Sequence, residues 1–224
     1  MVTFSNNGRL KVEKISSEFA LNTNGKEYVV VLLSGKVKVW NGDRIEDSEF
    51  IMSRHNVFSD RHASFFVVAN DGVVYVESVG ESEIAIVESE TQNKIHLQQT
   101  AFVSKSSVGE NNSNRQVIRL VDGKCGIQHL IVGETYNPTG NWSSWPPHKH
   151  DTHEEIYHYK FSNKNGFGLQ MVDDNICKVV DGDQVEIKEG YHPVVCSPYS
   201  EMYYLWVLFG DSLNFTPEFK EIDS

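Results

Sequence analysis

The sequence predicts an all-β protein, with an antiparallel sandwich or barrel in each of two halves. Three observations carry this. Short runs rich in Val, Ile, Tyr and Phe recur along the chain, turn-forming residues separate them, and a polar stretch divides the chain near its middle. No segment sustains a 3.6-residue apolar pattern, so helix content is expected to be low.

The runs follow in order. EYVVVLLSGKVKVW (27–40), SFFVVANDGVVYVES (64–78) and SEIAIVESE (82–90) fill the first half. QVIRLV (116–121), IQHLIVGETY (127–136), EEIYHYKF (154–161), GFGLQMV (166–172), DQVEIKEG (183–190) and EMYYLWVLFG (201–210) fill the second. Ser34-Gly35, Asn70-Asp71-Gly72 and Asp181-Gly182-Asp183 supply turns between or within them. The segment SKSSVGENNSNR (104–115) is the most polar and least patterned, and reads as a linker or long loop. It splits the chain into an N-terminal domain, 1–104, and a C-terminal domain, 105–224.

The 224 residues carry a formal net charge of −11, which repels phosphate backbones and excludes general nucleic-acid binding. The same field gives no attraction to an anionic sugar acid, so a carboxylate ligand needs a local cation or a metal. Three cysteines, Cys125, Cys177 and Cys196, are too few and too irregular for a disulfide framework. The first residues lack a signal-like apolar run, and no stretch approaches the roughly 20 apolar residues of a membrane span. A cytoplasmic protein without membrane or nucleic-acid partners is expected, with homo-oligomerisation left open.

The chemistry concentrates in GNWSSWPPHKHDTHEEIYHYKF, residues 140–161. In an extended strand His148 and His150 share a face and Lys149 points away. Beyond the turn from Asp151 to His153, one face carries Glu154, Ile156, His158 and Lys160. The other carries Glu155, Tyr157, Tyr159 and Phe161. The aromatic face suits a barrel interior, which sets Glu155 rather than Glu154 beside the histidines. His153 and His158 are expected in the turn and on the polar face.

Two imidazoles and a carboxylate suit a first-row divalent metal. A further histidine, His192, follows Gly190 in DGDQVEIKEGYHPVV (181–195). Gly…His-x-His-x4-Glu followed by Gly…Gly-x-His resembles the paired metal motifs of the cupin superfamily. Lys188 stands where that pattern often has proline.

GNWSSWPPHKHD (140–151), EEIYHYKF, GFGLQ (166–170), GYHPVV (190–195) and MYYLWVLFG (202–210) together resemble the 5-deoxy-glucuronate isomerase family of bacterial inositol catabolism. VLLSGKVKVW (31–40), RHNVF (54–58) and RQV (115–117) extend the likeness upstream. The uronate ketol-isomerases of pectin degradation are more distantly similar. The resemblance implies a bicupin, two double-stranded β-helix (jelly-roll) barrels with an inactive N-terminal one. It implies one divalent metal, Zn or Mn, on His148, His150, Glu155 and His192. It also implies aldose–ketose isomerisation of a deoxy-uronic acid. The sequence departs from the family at Met171, where an arginine commonly stands, and in the short Thr152-His153 link.

An isomerase also needs groups to move protons between carbons and oxygens. Strand parity nominates Tyr157, Gln170 and Tyr204 as pocket-facing, with Glu201 a carboxylate near the last strand. Arg54 and Lys188 are the candidate cations for a substrate carboxylate. Two rival readings are a cupin dioxygenase using Fe(II) and a non-catalytic sugar-binding cupin.

Overall fold

The computed structural model describes residues 3–4, 8–42, 49–150, 152–214 and 216–221. Its strands begin with β1 (Thr3–Phe4), β2 (Leu10–Ile15), β3 (Glu18–Asn22), β4 (Lys26–Asn41), β5 (Phe50–Arg54), β6 (Ser64–Ala69) and β7 (Val73–Ser78). There follow β8 (Ser82–Glu90), β9 (Ile95–Gln99), β10 (Ser104–Val108), β11 (Arg115–Val121), β12 (Leu130–Asn137), β13 (Trp142–Ser143) and β14 (His148–Lys149). The last are β15 (Glu154–Phe161), β16 (Gly168–Val172), β17 (Asn175–Val179), β18 (Gln184–Ile187), β19 (Val194–Cys196), β20 (Met202–Phe209) and β21 (Glu218–Phe219). Among the described residues the one helical element is a 3-10 turn, Asn111–Ser113, and no helix is long and apolar enough to cross a membrane.

The chain forms two compact units. One comprises Asn7–Phe102 with Val121–Leu130; the other comprises Val103–Leu120 with Ile131–Ser224, together with the segment that carries β1. The 1–104 and 105–224 division read from sequence is therefore crossed twice. β1 pairs with β18 in the second unit. Residues 121–130 join the first because the buried Glu27 carboxylate accepts the backbone N–H groups of Gln128, at 2.9 Å, and His129, at 2.7 Å. An unpaired carboxylate at that depth would cost several kcal/mol, so these two donors are what allow its burial.

In the first unit β4 is the long strand that joins an eight-stranded sheet. Its leading half pairs with β8 and β6, and its trailing half with β5 and β7. Val30, Leu32, Val37 and Val39 of β4 pack with Phe66, Val76 and Ile84 in one core.

The second unit holds a seven-stranded sheet, ordered β1-β18-β15-β20-β12-β11-β10, and a four-stranded sheet, ordered β13-β19-β16-β17. Its core is drawn from both. Tyr157, Tyr159 and Phe161 of β15 and Tyr204, Trp206 and Leu208 of β20 pack with Val172, Val179 and Val194 of the smaller sheet. Each such side chain contributes about 1.5–3 kcal/mol by leaving water. Cys196 belongs to this core, and burial pushes its thiol up to about 11, so it acts as a small apolar residue rather than a nucleophile.

Two expectations are corrected here. The stretch 104–115 is a hairpin arm rather than a linker: β10 pairs with β11 through five residues, from Ser104↔Arg119 to Val108↔Arg115. Its side chains are exposed, but the ladder needs only backbone groups, which is why the polar composition misled. The middle of the β15 face expected to be polar is also buried, with Ile156 at 0% and His158 at 2% exposure, while Glu154 and Lys160 at its ends are half-buried. β15 lies inside its sheet between β18 and β20, and the matching face of β20, with Tyr203, Leu205 and Val207, is buried as well.

Candidate metal centre

The aromatic face of β15 points into the core as strand parity requires, and Glu155 shares that face. It sits opposite Ile187 of β18 and Leu208 of β20. β14 carries His148 and Lys149 and pairs with β21, His148 facing Phe219 and Lys149 facing Glu218. Lys149 forms an ion pair with Glu218 at 3.3 Å. His192 is held beside His148 by its own N–H, which donates to the His148 carbonyl at 3.4 Å.

Gly190 makes that approach feasible. It adopts φ +98°, and a Cβ there would lie 2.6 Å from an oxygen of Asp173. The turn thus demands glycine on both grounds.

The three imidazoles are oriented alike. Nδ1 of His192 donates to the Gly190 carbonyl at 2.9 Å, Nδ1 of His150 to the His153 carbonyl at 3.3 Å, and Nδ1 of His148 reaches the Pro146 carbonyl at 3.4 Å. With Nδ1 protonated by this pattern, Nε2 is left as the lone-pair donor on each ring. Nε2 of His150 and of His192 lie 3.1 and 3.2 Å from the same Glu155 oxygen. Although His192 is fully buried, its Nε2 is 3.2 Å from that oxygen without hydrogen-bond geometry, which leaves an unpartnered lone pair in the cluster.

Burial and the neighbouring His192 push His148 down to about 4. Burial also opposes charge on His150, but the Glu155 carboxylate outweighs it and raises that imidazole. Against its own burial, Glu155 is held far below the usual carboxylate range by His150 and His192. The carboxylate is therefore ionised and surrounded by converging imidazoles. Three neutral-capable histidines and one carboxylate fit a divalent first-row metal, and the orphaned His192 Nε2 is the atom such an ion satisfies. Among the described residues His148, His150 and His192 form the one cluster of three or more His, Cys, Asp or Glu groups so placed, and Glu155 adjoins it. Asp151 lies outside the described residues.

His148 and His150 open onto a cavity of about 150 Å³, lined also by Glu155, Tyr157, Tyr204, Ser144, Arg115 and the apolar Val117, Trp206 and Leu208. Tyr157 and Tyr204 thus lie where parity put them. The Tyr157 hydroxyl is 3.0 Å from Ser144 Oγ and that of Tyr204 is 2.6 Å from Ser143 Oγ. Burial, reinforced by Glu155 and Tyr204, raises Tyr157 well above the ordinary phenol range, so it keeps its proton and acts as a donor.

Other expected site residues are placed elsewhere. Gln170 does not line the cavity. It is fully buried; its Oε1 accepts from the Tyr159 hydroxyl, and its Nε2 donates to the carbonyls of Met171, His192 and Pro193. Every polar atom is occupied, so it braces the His192 segment from behind and has none left for a substrate. Arg54 is 1% exposed within its own unit, giving Nη1 to the Leu32 carbonyl and Nε to that of Asp60. Lys188 is exposed in the bend after β18 and is not among the cavity-lining residues, and Glu201 lies at the start of β20, its N–H bound to Ser162 Oγ. His153 is buried, its ring held by Thr152 and Ser212.

The residue that sequence reasoning passed over is Arg115. It begins β11, 33 positions before His148, and only the sheet order brings it to the cavity. The RQV likeness was its one trace in the sequence.

Bracing by Gln170 has a measurable consequence. Gln170→Leu should keep the fold but weaken metal affinity about 10–100-fold in chelator competition, as loss of a supporting partner does elsewhere. Unchanged affinity would remove Gln170 from the support of His192.

An imidazole triad beside a carboxylate, set in an antiparallel β unit, is a group that could hold a metal ion, as cupin-type sites do. The KduI/IolB family model matches residues 6–222, and the chain belongs to that family. A 5-deoxy-glucuronate isomerase of Geobacillus kaustophilus is 34% identical over 205 residues, covering 84% of this chain and 73% of the relative. An IolB-like protein of Salmonella typhimurium superposes with a TM-score of 0.86 at 24% identity, covering 94% of this chain and 86% of that one. A Bacillus subtilis oxalate decarboxylase superposes at 0.61 with 8% identity, covering 95% and 71%. Mn(II) centres are described for that enzyme in another of its solved structures.

Proposed function

We propose that this protein is a metal-dependent aldose–ketose isomerase whose substrate is a deoxy-uronic acid, 5-deoxy-glucuronate, as in bacterial inositol catabolism. The observation that supports it best is the cluster of His148, His150 and His192, with Glu155 against the last two, beside a small cavity that Tyr157 and Tyr204 also line. The family's named relatives carry that activity in their names. The metal, Zn²⁺ or Mn²⁺, is assigned to His148, His150, Glu155 and His192 in the C-terminal domain alone.

When bound, such an ion supplies Lewis acidity toward the adjacent oxygens of a hydroxy-carbonyl compound. The chain's own groups serve the proton transfer between the two oxygens. Tyr157 Oη, protonated and paired with Ser144 Oγ, can give a proton to one substrate oxygen and recover it from the neighbouring one. Tyr204, fixed by Ser143, offers a second donor to the same oxygens. Val117, Trp206 and Leu208 keep bulk water from the wall. A cytoplasmic setting suits three free cysteines.

The test is anaerobic incubation of metal-replete protein with 5-deoxy-glucuronate in D₂O. Ketose product and deuterium at the carbon beside the carbonyl are expected, both lost on chelation and restored by Zn²⁺ or Mn²⁺. Absence of exchange and product with this and related uronates would defeat the isomerase reading, and O₂ consumption would favour a dioxygenase.

A further inference from the structure

We infer that Arg115 is the residue that binds the substrate's carboxylate, an assignment that rests on the isomerase reading and extends it. The acidic chain must supply a local cation for a uronate, and among the cavity's lining residues Arg115 is the one guanidinium or ammonium group. It is 7% exposed, so it belongs to the wall of the cavity rather than to the solvated surface.

Its anchoring leaves one edge available. Nη1 donates to the carbonyls of Ser113, at 3.0 Å, and Trp145, at 3.2 Å. Nε and Nη2 have no hydrogen-bond partner among the described residues, and no described carboxylate lies within ion-pair distance of the group. Neither nitrogen is a buried atom left without a partner, so both open to the cavity and can exchange water for a ligand. That edge presents two parallel donors, the geometry that matches a planar carboxylate bidentately. Room for the anchored head is itself built in. Gly109 stands at φ +84°, and a Cβ there would lie 2.8 Å from Nη1 and 2.3 Å from the Ser113 carbonyl oxygen.

The Ser113 carbonyl comes from the turn after β10, and the Trp145 carbonyl precedes the His148 segment, so the arginine is fixed relative to the imidazoles. A substrate can then be held at two points, its hydroxy-carbonyl end among the histidines and its carboxylate on Arg115. This gives selection for an acid of small size, because a cavity of about 150 Å³ falls below the roughly 300–1,000 Å³ of drug-sized sites.

The experiment compares metal-loaded wild type, Arg115→Met and Arg115→Lys against 5-deoxy-glucuronate and the corresponding uncharged 5-deoxyhexose. Turnover, calorimetric binding and metal content are read for each. Wild type is expected to prefer the acid. Arg115→Met should lose about 10–100-fold in affinity and KM for the acid, with metal content and the constants for the hexose unchanged. Arg115→Lys keeps the charge without the fork and should fall between, which preserves the test if the methionine variant fails to fold. Equal effects of substitution on both compounds, or a lysine variant identical to wild type with no loss in the methionine variant, would overturn the assignment. If wild type turns over neither compound yet binds the acid through Arg115, the isomerase reading fails and the carboxylate site stands. If it isomerises both equally and the variants lose nothing, the reverse holds.

Discussion

Replacing His192 with alanine is expected to leave a folded chain that has lost its metal. Metal content should fall from about one per chain to near zero, and turnover of the uronate by roughly 10³-fold, since a bound ion contributes several kcal/mol to the transition state. The reason is geometric. His192 is fully buried, its Nδ1 is committed to the Gly190 carbonyl, and its Nε2 has no other group to satisfy than an ion shared with Glu155. His153→Ala is the matched control. His153 supports His150 through its main-chain oxygen, which survives the substitution, while its ring bonds Thr152 and Ser212. That variant should therefore lose stability but keep metal. Elemental analysis after dialysis decides between them, and stoichiometric metal in His192→Ala would refute the ligand assignment.

The second large effect concerns stability in acid and centres on His158. Its ring is 2% exposed, and neither nitrogen has a hydrogen-bond partner among the described residues. Burial, with Lys160 adding to it, pushes this imidazole down to about 3. A base whose pKa is depressed in the fold stays neutral there, while the unfolded chain takes up a proton near pH 6.5. Between those two values the unfolded state binds more protons, so stability is complete above about pH 6.5 and drains as the pH falls toward 3. At pH 5 this one group accounts for about 2 kcal/mol, or some 4–8 °C in Tm for a chain of this size. His158→Leu should remove that part of the acid limb and leave neutral-pH stability equal or higher, because an unsatisfied polar group is replaced by an apolar one. Thermal unfolding of chelator-treated protein at pH 7.5 and 5 measures it without interference from metal release. Parallel profiles for the two proteins would show that the imidazole is satisfied in the fold.

The amino-acid pattern by itself determined the all-β class, the pairing of His148 with His150, and the choice of Glu155 over Glu154. All three follow from period-two alternation within one strand, which is local information. It also pointed to Tyr157 and Tyr204 as groups facing the interior, for the same reason. Neighbours and coverings are another matter. Alternation tells which side chains share a face, not which strand lies alongside or what buries the opposite face. Hence His158 looked polar and is buried, Gln170 looked available and is spent on three carbonyls behind His192, and residues 104–108 looked like a linker yet pair with β11. Arg54 and Lys188 were candidates as a cation of the N-terminal half and one at the second motif, whereas Arg115 reaches the cavity because β12 and β11 follow β20 in the sheet order. Only the tertiary structure decides such placements, since hydrogen-bonded strand order joins residues far apart in sequence and leaves no periodic mark on the sequence around either one.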